Sequence, residues 1–456
     1  MTDDQAVILE VSGGSHGLAA SYAAMRALAD TYDEAGDRLR DMARTGGRTM
    51  VDEDLLESSI LSPGTAIRAE TAVLAATTGP DGVLVESACW EVDAVAIRGS
   101  VSLFESADDA RHDAFEVLDH LVGRELGTAL AIGAPVLVAG VPVALTVGGD
   151  GLVDGLEDLV TDNPLLVQHL VNGGGGLLTG LTLGLVPVFT TNEAADELGD
   201  LYPEGHPLVA PLGTTSGEQP AGVEDLLAHL AEIAALSDGS DSPANGTIEI
   251  QTVTHADGQV VHIVNLPGTD DLGTLPWTAD DDVRDMGTNL DLVAGEVDDY
   301  QQGILDAMAE AGIGPDEPVL VVGHSQGGME AVAIAAGDSG FTITDVVTAG
   351  SPTAQVGDLP TGLNVLSIEQ HGDLVPLLDG EPNPPSVEQT TVVVDAGPGQ
   401  GIEAHHDYDV YVAGGAAVDA STDPSVTSSV GSLHEHGFLG TGGQVTSQQF
   451  QITRTP

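Results

Sequence analysis

The run Val319-Leu320-Val321-Val322-Gly323-His324-Ser325-Gln326-Gly327-Gly328, continued by Met329-Glu330-Ala331-Val332-Ala333, leaves the chain little freedom. Four β-formers lead straight into Gly-x-Ser-x-Gly and then into a helix of small residues. A strand that becomes a helix within so few residues needs glycines on both sides of the turn, because side chains there would collide with the strand or the helix. Ser325 is thereby expected in a strained turn that lifts its hydroxyl above the sheet. From Thr247 onward the pattern agrees with such an element. Short β-rich runs at Ile248 to Val253, Val260 to Val264, Val319 to Val322, Val346 to Thr348, Val365 to Ile368 and Thr391 to Val394 have helical intervals at Leu290 to Ala311 and Met329 to Ala336 among them. This alternation predicts an α/β fold, a largely parallel sheet covered by helices, over 246–456.

The amino-terminal part reads differently. Leu18 to Ala43 and Ala94 to Val122 place apolar residues three and four apart among charges, as in Met25, Leu28, Tyr32 and Leu39, so both are expected as amphipathic helices. Gly46-Gly47, Ser62-Pro63-Gly64 and Gly79-Pro80-Asp81-Gly82 read as turns between helices, which predicts a helical hairpin or bundle over 1–124. Nine of the eleven basic residues, all arginine, lie at or before Arg124, leaving Arg284 and Arg454 for the remainder.

Two uncharged stretches follow the boundary near 125: Leu126 to Gly149, and Asn163 to Asn192 with Gly173 to Gly176 in its middle. Each has the roughly 20 residues that a membrane helix needs. The same composition suits buried glycine-rich helices, so residues 125–195 read as a membrane hairpin or as packed helices, and a membrane contact through 126–192 stays open. Residues 196–245 are polar and rich in turn formers apart from the helical pattern Val223 to Leu236, and read as a linker region. The start Met-Thr-Asp-Asp is acidic and lacks the basic n-region of a cleavable signal. Export without a cleavable signal, or membrane association, is therefore favoured over a cytoplasmic location.

Seventy-two acidic residues against eleven basic ones, a formal charge of −61, repel phosphate backbones, so nucleic acid is excluded as a partner. One cysteine, Cys89, precludes an internal disulfide and multi-cysteine zinc sites. The pair His405-His406 beside Asp407 has no second cluster at metal-ligand spacing, so neither a metal nor another cofactor is expected.

A serine hydroxyl needs a histidine to take its proton and a carboxylate to orient that histidine, in the chain order Ser, Asp or Glu, His. After the strand ending at Ile368, Glu369-Gln370-His371-Gly372-Asp373 puts Asp373 on the turn at a strand's carboxyl end, with Glu369 and Asp379 as substitutes. For the base, Ala404-His405-His406-Asp407-Tyr408 follows a later strand; His406 is favoured with His405 as the alternative, and His434 or His436 lie further on. His324, inside the elbow, reads as structural or substrate-facing, and His371 as a turn residue. The amide of Gln326 at the helix start is the first oxyanion donor, and Thr269, in Asn265-Leu266-Pro267-Gly268-Thr269-Asp270, is the second.

Together these residues resemble the α/β-hydrolase superfamily, most nearly its class 3 lipase-like branch, over about 246–415. The resemblance rests on the Gly268-Thr269 segment, Thr288-Asn289-Leu290, the Gly-His-Ser-x-Gly elbow, Gly350-Ser351-Pro352, Asp373-Leu374-Val375-Pro376 and a late histidine before tyrosine. It implies an α/β-hydrolase sheet with covering helices; the region before it is expected, from its own periodicity, to be all-helical at the amino terminus. The resemblance also implies Ser325 as nucleophile, Asp373 as acid, His406 or His405 as base, and Thr269 with Gln326 as oxyanion donors. Leu292-Val293-Ala294-Gly295-Glu296 stands where that branch often carries a Val-His-x-Gly-Phe-like segment, a departure that touches the triacylglycerol-lipase assignment alone. The helical first part distantly resembles the amino-terminal modules of proteins exported by the type VII route, with Trp90-Glu91-Val92 in place of their Trp-x-Gly. The expected function is a serine ester hydrolase acting on a small-molecule or lipid ester. The rival is a membrane-inserting or secreted effector in which the hydrolase domain is accessory or degenerate.

Overall fold

The computed structural model describes residues 6–79, 82–102, 119–121, 123–124, 171–182, 185–203, 205–237, 242–397 and 401–455. The chain divides into two compact units: residues 1–18 with 115–456, and residues 19–114. The expected stretch Leu126 to Gly149, most of the run from 103 to 122, and residues 163–170 lie outside the described residues.

In the larger unit, β1 (Val7–Gly13), β2 (His206–Gly217), β3 (Thr247–Thr254), β4 (Val260–Leu266), β5 (Pro318–His324), β6 (Thr342–Ala349), β7 (Asn364–Gln370), β8 (Gln389–Asp395) and β9 (Gln444–Thr455) form one nine-stranded sheet. Its order is β1-β8-β7-β6-β5-β4-β3-β9-β2. β4 to β8 are parallel neighbours in chain order, and the strands flanking them are antiparallel. Their apolar residues alternate between two cores. Val261, Ile263, Leu320 and Val322 face the helices Val223–Ala234, Tyr408–Asp419 and Pro424–Glu435, while Val264, Leu266, Val319 and Val321 face Asp299–Ala311 and Gln326–Ala336. Burial on both faces is why these strands read as continuous apolar runs.

All six strands expected from the sequence are present, and three further strands complete the sheet. β1 lies at the start of the region expected to be wholly helical, pairing with β8; helices begin at Leu18. Within 196–245, expected as a linker region, β2 lies at the sheet's edge and the helix Val223–Ala234 buries Leu226, Leu227 and Leu230 in the core. β9 enters between β3 and β2, from His206 opposite Thr455 to Gly217 opposite Val445. The expected helix Leu290 to Ala311 is two helices, Met286–Ala294 and Asp299–Ala311, divided where Gly295 turns left-handed at φ 79°. Aspartates cap the starts of several helices, as Asp285, Asp298, Asp407 and Asp423 do, which gives part of the acidic excess a structural use.

The smaller unit is helical in its described residues: Leu18–Thr49, Glu53–Leu61, Pro63–Thr78 and a helical run over 83–102. Gly46-Gly47, expected as a turn, lies inside the first helix. A Cβ on Gly46 would come within 2.4 Å of Thr77 Cγ2, so the glycine permits a close helix approach instead of a turn. Ser87 Oγ donates to the Gly36 carbonyl at 2.8 Å and Tyr32 meets Trp90 edge-on at 5.0 Å, an antiparallel pairing of the first helix with 83–102.

Of the second uncharged stretch, residues 171–182 and 185–192 are described; they include the eight-residue helix Gly174–Leu181, with Gly175 and Gly176 buried. Among the described residues no helix is long and apolar enough to cross a membrane.

Candidate active site

The site is assembled from turns leaving the carboxyl ends of β4, β5, β7 and β8. At the end of β5, Ser325 has φ 53° and ψ −124°, and it is the only non-glycine residue with positive φ among the described residues. Such a conformation costs of order 1–3 kcal/mol and persists where the surroundings impose it. The surroundings are tight. A Cβ on Gly323 would lie 2.1 Å from the Gly327 carbonyl oxygen, and one on Gly327 would lie 2.0 Å from that of Leu266. The Ser325 amide donates to the Ala349 carbonyl at 2.9 Å, and its own carbonyl accepts from the amides of Gly328 and Met329. Gln326 is the first residue of the helix, where amides have no carbonyl one turn back and face outward with the dipole's positive end.

Across from the elbow, His406 points Nδ1 at Asp373 Oδ2, 2.6 Å away. That nitrogen carries the proton, leaving Nε2 as the ring's acceptor. Asp373 is buried; its Oδ1 accepts from the Val375 amide at 2.9 Å, and its Oδ2 accepts a second hydrogen bond from the Tyr411 hydroxyl. His405, the alternative base, turns away and places Nδ1 3.0 Å from the His371 carbonyl. The substitutes for the acid have other partners: Glu369 accepts from Asn383 Nδ2 at 2.8 Å and Asp379 from the Ala354 amide at 2.7 Å. Burial pushes both carboxyls up to about 7; at Glu369 the charges of Asp379 and Asp373 add to it, and at Asp379 backbone amides oppose it. His436 bonds Asp345 at 2.6 Å near the opposite end of β6, remote from the elbow turn.

His324 links the two sides. Its Nε2 donates to the His406 carbonyl at 3.1 Å, and its ring lies 4.5 Å from the His406 ring and 4.1 Å from that of Tyr408, centroid to centroid. Burial, reinforced by the nearness of His406, holds it well below the usual histidine range, so it stays neutral and structural. The elbow and His406 are thus neighbours through His324. Among the described residues no hydrogen bond joins the Ser325 hydroxyl to the His406 ring.

The loop expected to supply the second oxyanion donor leaves β4. Gly268 approaches the elbow so closely that a Cβ there would meet Ser325 Cβ at 3.0 Å and His324 Nδ1 at 3.2 Å. Its amide donates to the Tyr408 hydroxyl at 3.0 Å and is therefore spoken for. Thr269 Oγ1 accepts from Asn289 Nδ2 at 3.1 Å, which leaves the hydroxyl proton free to be directed elsewhere. The loop is gripped from behind by Arg284, fully buried, which donates to the Gly268 carbonyl at 3.1 Å and pairs with Asp270 at 2.6 Å.

Arg284, Tyr408 and Tyr411 carry structure that the sequence reading did not assign. Arg284 had a signal, being one of two cations after residue 124 in a chain of charge −61. The tyrosines had a weaker one, lying three residues apart on the helix that follows His406.

Among the described residues, no group of three or more His, Cys, Asp or Glu is placed to hold a metal ion. No family model, curated protein or solved structure matches the chain.

Proposed function

We propose that the chain is a serine ester hydrolase of the α/β-hydrolase type, working through an acyl-enzyme. The observation that carries this reading is the 2.6 Å bond from His406 to the buried Asp373, set beside an elbow whose serine holds a positive φ. A strained nucleophile turn, an imidazole oriented by a carboxylate and a helix start next to the serine are the parts acyl transfer needs. Ser325 Oγ attacks the ester carbonyl while His406 Nε2 takes its proton. The oxyanion is met by the amides of Gln326 and Thr269. Collapse expels the alcohol, which receives the proton from His406; water, deprotonated by the same nitrogen, then releases the acid and restores Ser325. The serine–imidazole contact is commonly long in free enzymes and shortens when substrate is bound.

An apolar, lipid-like acyl ester is the favoured substrate. The loop continuing from Thr269 exposes Leu272, Leu275 and Trp277, the last 79% exposed, an apolar surface on a segment that starts beside the elbow, at Gly268. The test is a fluorophosphonate probe. Covalent labelling should map to the peptide spanning Gly323 to Gly328, and Ser325→Ala should abolish it together with p-nitrophenyl ester turnover, a loss of about 10⁶-fold. Turnover that survives the substitution refutes the assignment.

A second reading, a membrane-inserting or secreted effector with an accessory hydrolase domain, draws on the apolar side chains exposed in the helical unit, Ile60 and Leu61 among them. Vesicle binding by the full chain with no labelling at Ser325 supports that reading instead.

A further inference from the structure

We propose that Tyr411 is a positioning residue that sets how much of the Asp373 charge is available to the His406 ring, an inference that rests on the hydrolase reading above. The carboxylate oxygen Oδ2 receives two donors, His406 Nδ1 and the Tyr411 hydroxyl. A hydroxyl donating to that oxygen draws on the same negative charge that would stabilise a protonated imidazole, so the two donors compete. Tyr411 is fully buried, and burial, reinforced by the Asp373 charge, raises its hydroxyl well above the usual tyrosine range. The phenol therefore keeps its proton, and keeps donating it, at every pH where the enzyme could work.

The surroundings are cut to fit this contact. Gly350, at φ 63°, lies against the hydroxyl: a Cβ there would come within 2.5 Å of Tyr411 Oη and 2.7 Å of Cζ. The first residue of the Gly350-Ser351-Pro352 motif thus leaves room for a phenol to reach the acid. The Tyr411 ring also stands edge-on to those of His324, at 5.4 Å, and His406, at 6.3 Å. Three donors on one buried carboxylate fix its plane, and with it the direction in which His406 Nε2 faces.

The experiment uses the full chain and the rate of fluorophosphonate labelling as a function of pH, which needs no knowledge of the natural substrate. With Tyr411→Phe, the ring remains and the competing donor is gone. The carboxylate then stabilises the protonated imidazole more, and the rising limb of the rate profile should move to higher pH by about one unit. Gly350→Ala, which crowds the hydroxyl off Asp373 while keeping the phenol, should move it in the same direction and gives a second route if the first variant folds poorly. A lower plateau with the limb in place in both variants means that Tyr411 is packing only, and the proposal falls while the hydrolase reading stands. A wild-type chain that does not label at Ser325 removes both.

Discussion

The sheet unit and the helical unit use arginine in opposite ways. In the sheet unit Arg284 is fully buried, and Arg454, 7% exposed, pairs with Asp285 at 2.9 Å and donates to the Asp282 carbonyl. In the helical unit Arg38 pairs with Glu34, and Arg44 with Asp41, on side chains more than two-thirds exposed. A buried pair is a weak source of net stability, yet it is costly to break, since removing one partner strands the other charge; an exposed pair gains little because water and salt screen it. Apolar side chains follow the same division. The inner strands β3 to β8 hide most of their valines and isoleucines, whereas Ile60, Leu61 and Ile67 of the helical unit are 80%, 88% and 62% exposed. Residues that the fold leaves no room to move lie where the candidate chemistry is, and freedom is kept for the other unit.

The comparison breaks most readily at Arg284. Replacing it by methionine leaves Asp270 buried without its cation and should cost about 3–5 kcal/mol in a denaturant titration. It should also loosen the Gly268–Asp270 loop and depress labelling at Ser325. A loss below about 1 kcal/mol would place Arg284 with the screened surface pairs.

Acidity sharpens the same contrast. Burial raises Asp282 and Asp298 to about 6 and Asp291 and Asp379 to about 7. Their folded values lie above the unfolded aspartate range near 3.9. The native state therefore binds more protons than the unfolded one between about pH 4 and 7, and stability contributed there is lost as pH rises through the folded values. His229, raised by its bond to the buried Glu249, acts in the same sense, losing its contribution as pH rises. Glu249 and Glu317, both lowered, act oppositely, but below this window. Thermal melts at fixed salt should give a higher midpoint at about pH 5.5 than at about pH 8. A midpoint that falls on acidification would mean these carboxylates find partners that hold them charged.

Smaller effects are expected from the helical unit. Ile60→Ser or Leu61→Ser should change unfolding free energy by no more than about 0.5 kcal/mol, because neither side chain leaves water on folding. A cost near 2 kcal/mol would reveal a partner covering this face. Arg38→Ala should cost about 0.3 kcal/mol and lose even that at high salt.

Much of the sheet was legible because its strands are β-branched runs punctuated by glycine and proline, and the elbow was legible because only glycine tolerates the contacts at 323 and 327. β9 was not: Gln444-Val445-Thr446-Ser447-Gln448-Gln449 is too polar for a core strand by pattern. It is held by ladders to β2 and β3, residues some two hundred positions earlier. Gly46-Gly47 misled because glycine serves turns and close helix contacts equally well, and only the packing against Thr77 distinguishes them.

Sequence alone determined the order of strand, elbow and helix, the backbone strain at Ser325, and the position of an acid at the end of a strand. These depend on sterics within a few neighbouring residues, where the chain carries its own instructions. Tertiary structure decided which of two adjacent histidines meets Asp373, that Tyr411 shares its oxygen, and that Arg284 grips the loop beside Ser325. Each of these joins residues from 14 to 38 positions apart. Side chains that far apart have no preferred partner until the packed sheet sets the distances between them.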